Sequence, residues 1–133
     1  MGLNYNVPKL LSVGSQLVCV CNSGAKKVQI IGVLKTQGTR KRRLRAGVGS
    51  VVSIRVTKGL STLKKKVSHA LIIRQKYPIT RKSGPNYGKI SFEDNACVIL
   101  ESNLNPKKSV IKGPVAKEVA NIKKYSELKA IYK

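Results

Sequence analysis

Three cysteines and one histidine are the residues whose types first suggest chemistry. Cys19-Val20-Cys21 places two thiols on one face of what reads as a strand, and Cys97 with His69 would complete a four-ligand zinc set. The spacing lacks the C-x₂₋₄-C pair of structural zinc sites, and C-x-C is not the redox motif C-x-x-C. The cysteines therefore read as small buried hydrophobes, and His69, at a strand start, as structural; no metal and no cofactor is expected. The one close acidic pair, Glu93-Asp94, reads as the beginning of a strand. Neighbouring strand side chains point to opposite faces, so the two carboxylates cannot share a substrate. Gly47-Val48-Gly49 is half of a dinucleotide loop, but Val52 stands where the third glycine belongs, so it reads as a turn. With no close pair of acid–base groups, general acid–base catalysis has no residues to use. The chain is not expected to be an enzyme.

The cations tell a different story. Lys35–Arg45 holds Arg40, Lys41, Arg42, Arg43 and Arg45 with no apolar period, so it cannot join a core and reads as an exposed loop. Lys64, Lys65 and Lys66 form a second cluster, Arg74 and Lys76 share a strand face two residues apart, and Arg81 and Lys82 lie in a third basic stretch. Together with Lys26 these are the expected phosphate ligands. Arginine predominates in the first cluster, and its guanidinium fork clamps phosphate bidentately where an ammonium cannot. Tyr77 and Tyr87 sit among the cations, and two readings stand for them: bases stacking on the rings, or packing at a hairpin base.

The whole composition agrees. Lys and Arg number 27 against 5 Asp and Glu, a formal charge of +22 over 133 residues. The first acid is Glu93, so 92 residues pass without a carboxylate. Such an imbalance strains a compact state by self-repulsion unless a polyanion is present, and nucleic acid is the obvious polyanion. The 41% apolar content suffices for one small core. No run approaches the ~20 apolar residues of a membrane span, the N-terminus lacks a signal-peptide core, and Asn6 stands where myristoylation needs Ser or Thr. With an odd cysteine count, a cytoplasmic protein with no membrane and no small-molecule substrate is expected.

The elements that must position these cations are short and β-rich. Residues 1–15 read as an extended N-terminal arm. Gln16–Cys21 is β-branched and apolar, turns at Asn22-Ser23-Gly24, and pairs with Lys27–Leu34 as a hairpin. Val51–Thr57 alternates, with Val52, Ile54 and Val56 on one face and Ser53, Arg55 and Thr57 on the other. Ala70–Ile73 reads as a strand buried on both faces, residues 77–91 as a basic protruding hairpin, and Ala96–Leu100 as the last core strand. Beyond residue 101 the period changes. Pro114 suits the first turn of a helix, Val115, Val119 and Ile122 make one helical stripe, and Tyr125, Leu128, Ile131 and Tyr132 a second. The expectation is a mainly β chain: a small five-stranded β-barrel with basic loops and hairpin over 16–100, and a C-terminal loop with two short helices over 101–133.

Several motifs occur here in one order: Asn22-Ser23-Gly24-Ala25-Lys26 before an apolar strand, AGVGS before VVSIRV, ALIIRQK, FEDNACVIL and GPVAKE. Together, from about Gln16 to Ala120, they resemble the universal large-ribosomal-subunit protein fourteen family, numbered twenty-three in older eukaryotic naming. Lys64-Lys65-Lys66-Val67 and FEDNA look like its archaeal and eukaryotic branch. The resemblance implies a five-stranded barrel with a projecting hairpin and a small helical C-terminal portion. It implies a place on the subunit-joining face of the large ribosomal subunit, contact with large-subunit rRNA and neighbouring ribosomal proteins, and a bridge to small-subunit rRNA. In a eukaryote it further implies nucleolar assembly and a surface for the anti-association factor called initiation factor six.

The chain departs from the family pattern in four places. Cys21 and Ser50 replace two usual acids, the hairpin between Gly84 and Phe92 is about three residues longer than usual, and the tail after Ala120 matches little. Four of the five acids lie from Asp94 onward, and carboxylates repel a phosphate backbone. The polar face of the first expected helix, Lys117, Glu118, Asn121 and Lys124, is therefore the expected protein-partner surface, and the loops before residue 92 serve RNA.

Overall fold

The structure is a computed structural model that describes residues 11–21, 24–34, 45–64, 66–81, 88–101, 111–116, 119 and 131–132. In chain order the elements are β1 (Leu11–Ser12), β2 (Gln16–Cys19), β3 (Ala25–Val33), β4 (Arg45–Ala46), β5 (Val51–Gly59), α1 (Ser61–Lys64), β6 (Val67–Arg74), β7 (Ile79–Arg81), β8 (Gly88–Ile90), β9 (Ala96–Leu100), β10 (Pro114–Val115) and β11 (Ile131–Tyr132).

Strands β2, β3, β5, β6 and β9 close into a barrel in that order. Four of its five seams are antiparallel. The fifth, where β2 meets β9 with Val18 opposite Ala96 and Cys19 opposite Cys97, is parallel. Closure leaves the five strands no unpaired edge. The alternation read in Val51–Thr57 is the barrel's inside and outside: Val52, Ile54 and Val56 are buried, while Arg55 is exposed. Leu17, Val28, Ile30, Ala70, Ile72, Cys97 and Ile99 complete the interior from the other strands.

Strand β9, and β6 from Ala70 onward, are buried on both faces. In β6 Leu71 and Ile73 are as inaccessible as Ala70 and Ile72, and all five residues of β9 are buried. The second layer comes from flanking segments. The turn at Gly47–Ser50 hydrogen-bonds to β6, Gly49 N–H donating to the Ile72 carbonyl and Ile72 N–H to that of Ser50. On the C-terminal side Ala116 N–H donates to the Ile73 carbonyl at 3.0 Å, and Val115, Ala116 and Val119 are fully buried. The arm contributes as well: β1 pairs with β4, and Leu11 is buried.

The two ends of the C-terminal segment depart from the helical expectation, whose stripe residues Ile122, Tyr125 and Leu128 lie outside the described residues. Pro114 and Val115 are extended and pair in parallel with Ile131 and Tyr132, so neither end of the expected helical region is helical; Val119 is. The reason is that helices of one or two turns are marginal alone, and here the backbone finds better partners along the barrel. The Ala116 amide and the Lys112 amide bond to Ile73 and Val20 carbonyls, and the Pro114 carbonyl accepts from Arg74. Proline has no amide to waste at such an edge.

Candidate nucleic-acid interface

The basic side chains are positioned by barrel rims and flanking turns. At one end, the β2–β3 turn packs on the β5–α1 junction. Leu60 N–H donates to the Gly24 carbonyl, and a Cβ on Gly59, whose φ is +150°, would fall 2.8 Å from that same oxygen. This close approach gathers exposed Lys26, Lys58, Lys64 and Lys66 at one rim, beside Leu60 and Val67, which are also exposed. Arg45 is exposed in β4, where the β1 pairing fixes its backbone. Lys76 is exposed just past β6, its amide held by the Asn95 side-chain oxygen at 2.8 Å, with exposed Tyr77 next to it. Arg81 lies in β7, paired with β8 as the expected hairpin. Arg40, Lys41, Arg42, Arg43, Lys65, Lys82, Lys117, Glu118, Asn121 and Lys124 lie outside the described residues, as does Tyr87.

Arg74 is the correction. Its expected place beside Lys76 as a phosphate ligand fails because it is buried and committed. It falls at a register shift between β6 and β9, and its guanidinium grips Asp94 side-on, Nε on Oδ1 and Nη2 on Oδ2. Nη1 donates to the carbonyls of Lys112 and Pro114 at 3.2 and 3.1 Å. A buried arginine needs such a partner set, and four of its five N–H groups are committed within the fold. Glu93 and Asp94 accordingly form a bend before β9 rather than a strand start. Gly113 completes the site: its φ is +84°, and a Cβ there would sit 2.6 Å from Arg74 Nη1. A groove of about 480 Å³ opens over this pair, walled by Ile90, Phe92 and Pro114. Among the described residues Arg74–Asp94 is the one ion pair, so the exposed lysines and arginines keep their charge for a polyanion.

Ser50, one of the two places where an acid is usual in the resembling family, keeps the geometry without the charge. Its Oγ accepts the Gly47 amide at 3.1 Å and closes the turn.

The cysteines are core residues. All three are buried, and the Cys19 and Cys21 sulfurs lie 3.3 Å apart. The hydrogen bond with Cys21 pulls the Cys19 thiol down, but hydrogen bonding to Cys97, burial and the Cys97 charge outweigh it and push the thiol up. Among the described residues no group of three His, Cys, Asp or Glu side chains is disposed to hold a metal ion. None of the described helices is long and apolar enough to cross a membrane.

Sequence reading passed over the cations that stand singly on barrel strands. Lys27 and Arg55 are both exposed. Their signal was the polar half of each alternating strand, which clustering by sequence proximity overlooks.

The chain matches known proteins along nearly all its length. The family model described as "Ribosomal protein L14p/L23e" covers residues 10–131. "Large ribosomal subunit protein uL14" of Methanococcus vannielii is 44% identical over 119 residues, spanning 90% of this chain and 88% of the relative. The proteins of that name from Halorubrum lacusprofundi and Methanocorpusculum labreanum are 42% and 40% identical, covering 89% and 90% of this chain and 87% and 88% of their own. A closed five-stranded barrel with unneutralised cations on its rims, and similarity of this extent, lead to one conclusion: the chain belongs to the ribosomal protein L14p/L23e family.

Proposed function

We propose that this protein is a non-catalytic structural component of the large ribosomal subunit, held there by large-subunit rRNA. The observation that carries this reading is family membership across residues 10–131, in a barrel whose described cations, Arg74 apart, are left without carboxylate partners. RNA is bound through backbone and shape, because five tyrosines and one phenylalanine in 133 residues are too few to read single-stranded sequence by stacking. The phosphate ligands are Lys26, Arg45, Lys64, Lys66 and Lys76, with Arg40, Lys41, Arg42, Arg43, Lys65, Arg81 and Lys82 from the loops and hairpin. On the subunit-joining face the protein touches neighbouring ribosomal proteins and small-subunit rRNA at a bridge. The polar side of the tail, Lys117, Glu118, Asn121 and Lys124, meets protein partners, in a eukaryote initiation factor six. Its place is the cytoplasmic ribosome, reached in a eukaryote by nucleolar assembly.

Sedimentation tests this. The chain should co-migrate with large subunits and stay with them through a salt wash that strips loosely bound factors. Release into the supernatant at moderate salt would make it a translation factor or RNA chaperone instead.

A further inference from the structure

The outer face of the β3–β5–β6 sheet holds a cation that none of the basic clusters includes. Arg55 projects from the polar side of β5, opposite Gln29 on β3 and Val67 on β6. Its Nε donates to the Gln29 side-chain oxygen at 2.9 Å, and the Gln29 amide nitrogen donates in turn to the Gly14 carbonyl at 3.2 Å. Gly14 is itself tied down, its N–H donating to the Ile30 carbonyl at 2.8 Å. An exposed arginine ordinarily samples many rotamers, and holding it in one geometry costs side-chain entropy on binding. Here the relay from the β1–β2 turn has already fixed the guanidinium plane. With Nε occupied, the two terminal nitrogens remain as a fork, the geometry that grips a phosphate bidentately.

The chemistry of the orienting residue matters. A glutamate at position 29 would align the guanidinium equally well and cancel its charge. Glutamine orients and leaves the full positive charge, and Arg55 makes no ion pair among the described residues. Lys27 stands two residues along β3 from Gln29, exposed and on the same face. Val67, 67% exposed, flanks the fork on the other side. A sheet face with an oriented fork, a second cation and an apolar flank complements the wide, shallow minor groove of an RNA helix, with its phosphates and riboses, better than it fits a free anion.

We propose that this sheet face is an RNA-backbone contact, with Arg55 binding a phosphate and Gln29 acting as its positioning residue. The inference rests on the reading that the chain binds large-subunit rRNA, and it extends the contact from the basic rim onto a barrel-sheet face.

The test uses the full chain and transcribed large-subunit rRNA, with the dissociation constant measured between 50 and 500 mM KCl and melting curves confirming each variant's fold. Arg55→Gln should weaken binding roughly threefold to tenfold and flatten the log–log salt slope by about 0.7–0.9, one phosphate contact. Gln29→Glu should flatten it similarly. Gln29→Ala should weaken binding with the slope unchanged, because the charge stays and only its orientation is lost. Arg55→Lys should keep the slope without restoring affinity. If the wild type binds with its full salt dependence and Arg55→Gln is indistinguishable from it, the face is not an RNA contact. If the wild type itself shows no salt-dependent binding, the underlying rRNA reading fails and takes this inference with it. If Arg55→Gln binds naked rRNA normally but is lost from assembled subunits, the face meets a protein neighbour and the inference is overturned.

Discussion

Arg55 and Arg74 lie on adjacent barrel strands with opposite fates, and the difference is what holds each guanidinium. Arg74 is enclosed by a carboxylate and two carbonyls, so removing one partner leaves a buried charge unmatched. Replacing Asp94 with asparagine should destabilise the protein by about 2 kcal/mol; a fully buried pair would cost more, but the Asp94 side chain is 33% exposed. Urea titration measures it. Gly113→Ala should do similar damage, since its φ of +84° disfavours any side chain and the added methyl meets Arg74; about 1–3 kcal/mol is expected. The thiol core predicts a pH dependence. Burial and Cys97 raise the Cys19 pKa in the fold, so above about pH 8.5, the ordinary thiol value, the unfolded chain loses a proton that the folded chain keeps. Stability from this group is therefore complete below that pH and falls as pH rises through it. Comparing urea midpoints from pH 7.5 to 10 in the wild type and Cys19→Ala should show a steeper decline in the wild type.

At the scale of elements, the C-terminal segment is part of the core. Val115, Ala116 and Val119 are fully buried, so truncation after Gly113 should lower barrel stability by at least about 3 kcal/mol, the burial value of two valines. Thermal melts followed by circular dichroism would check it; an unchanged midpoint would show the tail to be dispensable packing. This segment also marks where sequence reading stopped. Ala96–Leu100 was legible to the residue, because an unbroken apolar run bounded by polar residues has one reading. The alternation of Val52, Ile54 and Val56 was equally plain, and it fixed the barrel's inside. Pro114–Val115 was not legible, since the helical spacing of Val115, Val119 and Ile122 is a local signal and the pairing with Ile131–Tyr132 is not. Arg74 escaped for the same kind of reason: alternation carries a side chain's direction along a strand only while register holds, and it shifts between Ile72 and Arg74. Arg55 was visible as a polar-face residue, but its orientation by Gln29 depends on a partner 26 positions away.

For the whole molecule the governing quantity is a net charge of +22. Self-repulsion at that charge is relieved by counterions, so melting temperature should rise with added salt, and further with a polyanion that binds the fold. A polyanion that lowered the midpoint would show preferential binding to the unfolded chain. If the arginine loop contacts phosphates, replacing Arg40, Arg42, Arg43 and Arg45 together with glutamine should reduce the salt slope of rRNA binding by roughly 3, the sum of four contacts.

The parallel seam between β2 and β9 has a consequence for how the protein is made. Val18 and Cys19 cannot be paired on that side until Ala96 and Cys97 exist, and the covering Ala116 comes later still. Pairings this distant along the chain form slowly, and synthesis proceeds from the N-terminus. A newborn chain thus presents 92 residues without a single acid before its barrel can shut. During that interval it is an open, sticky polycation. Its yield in a cell should depend on an escort that masks those charges until the last strand arrives.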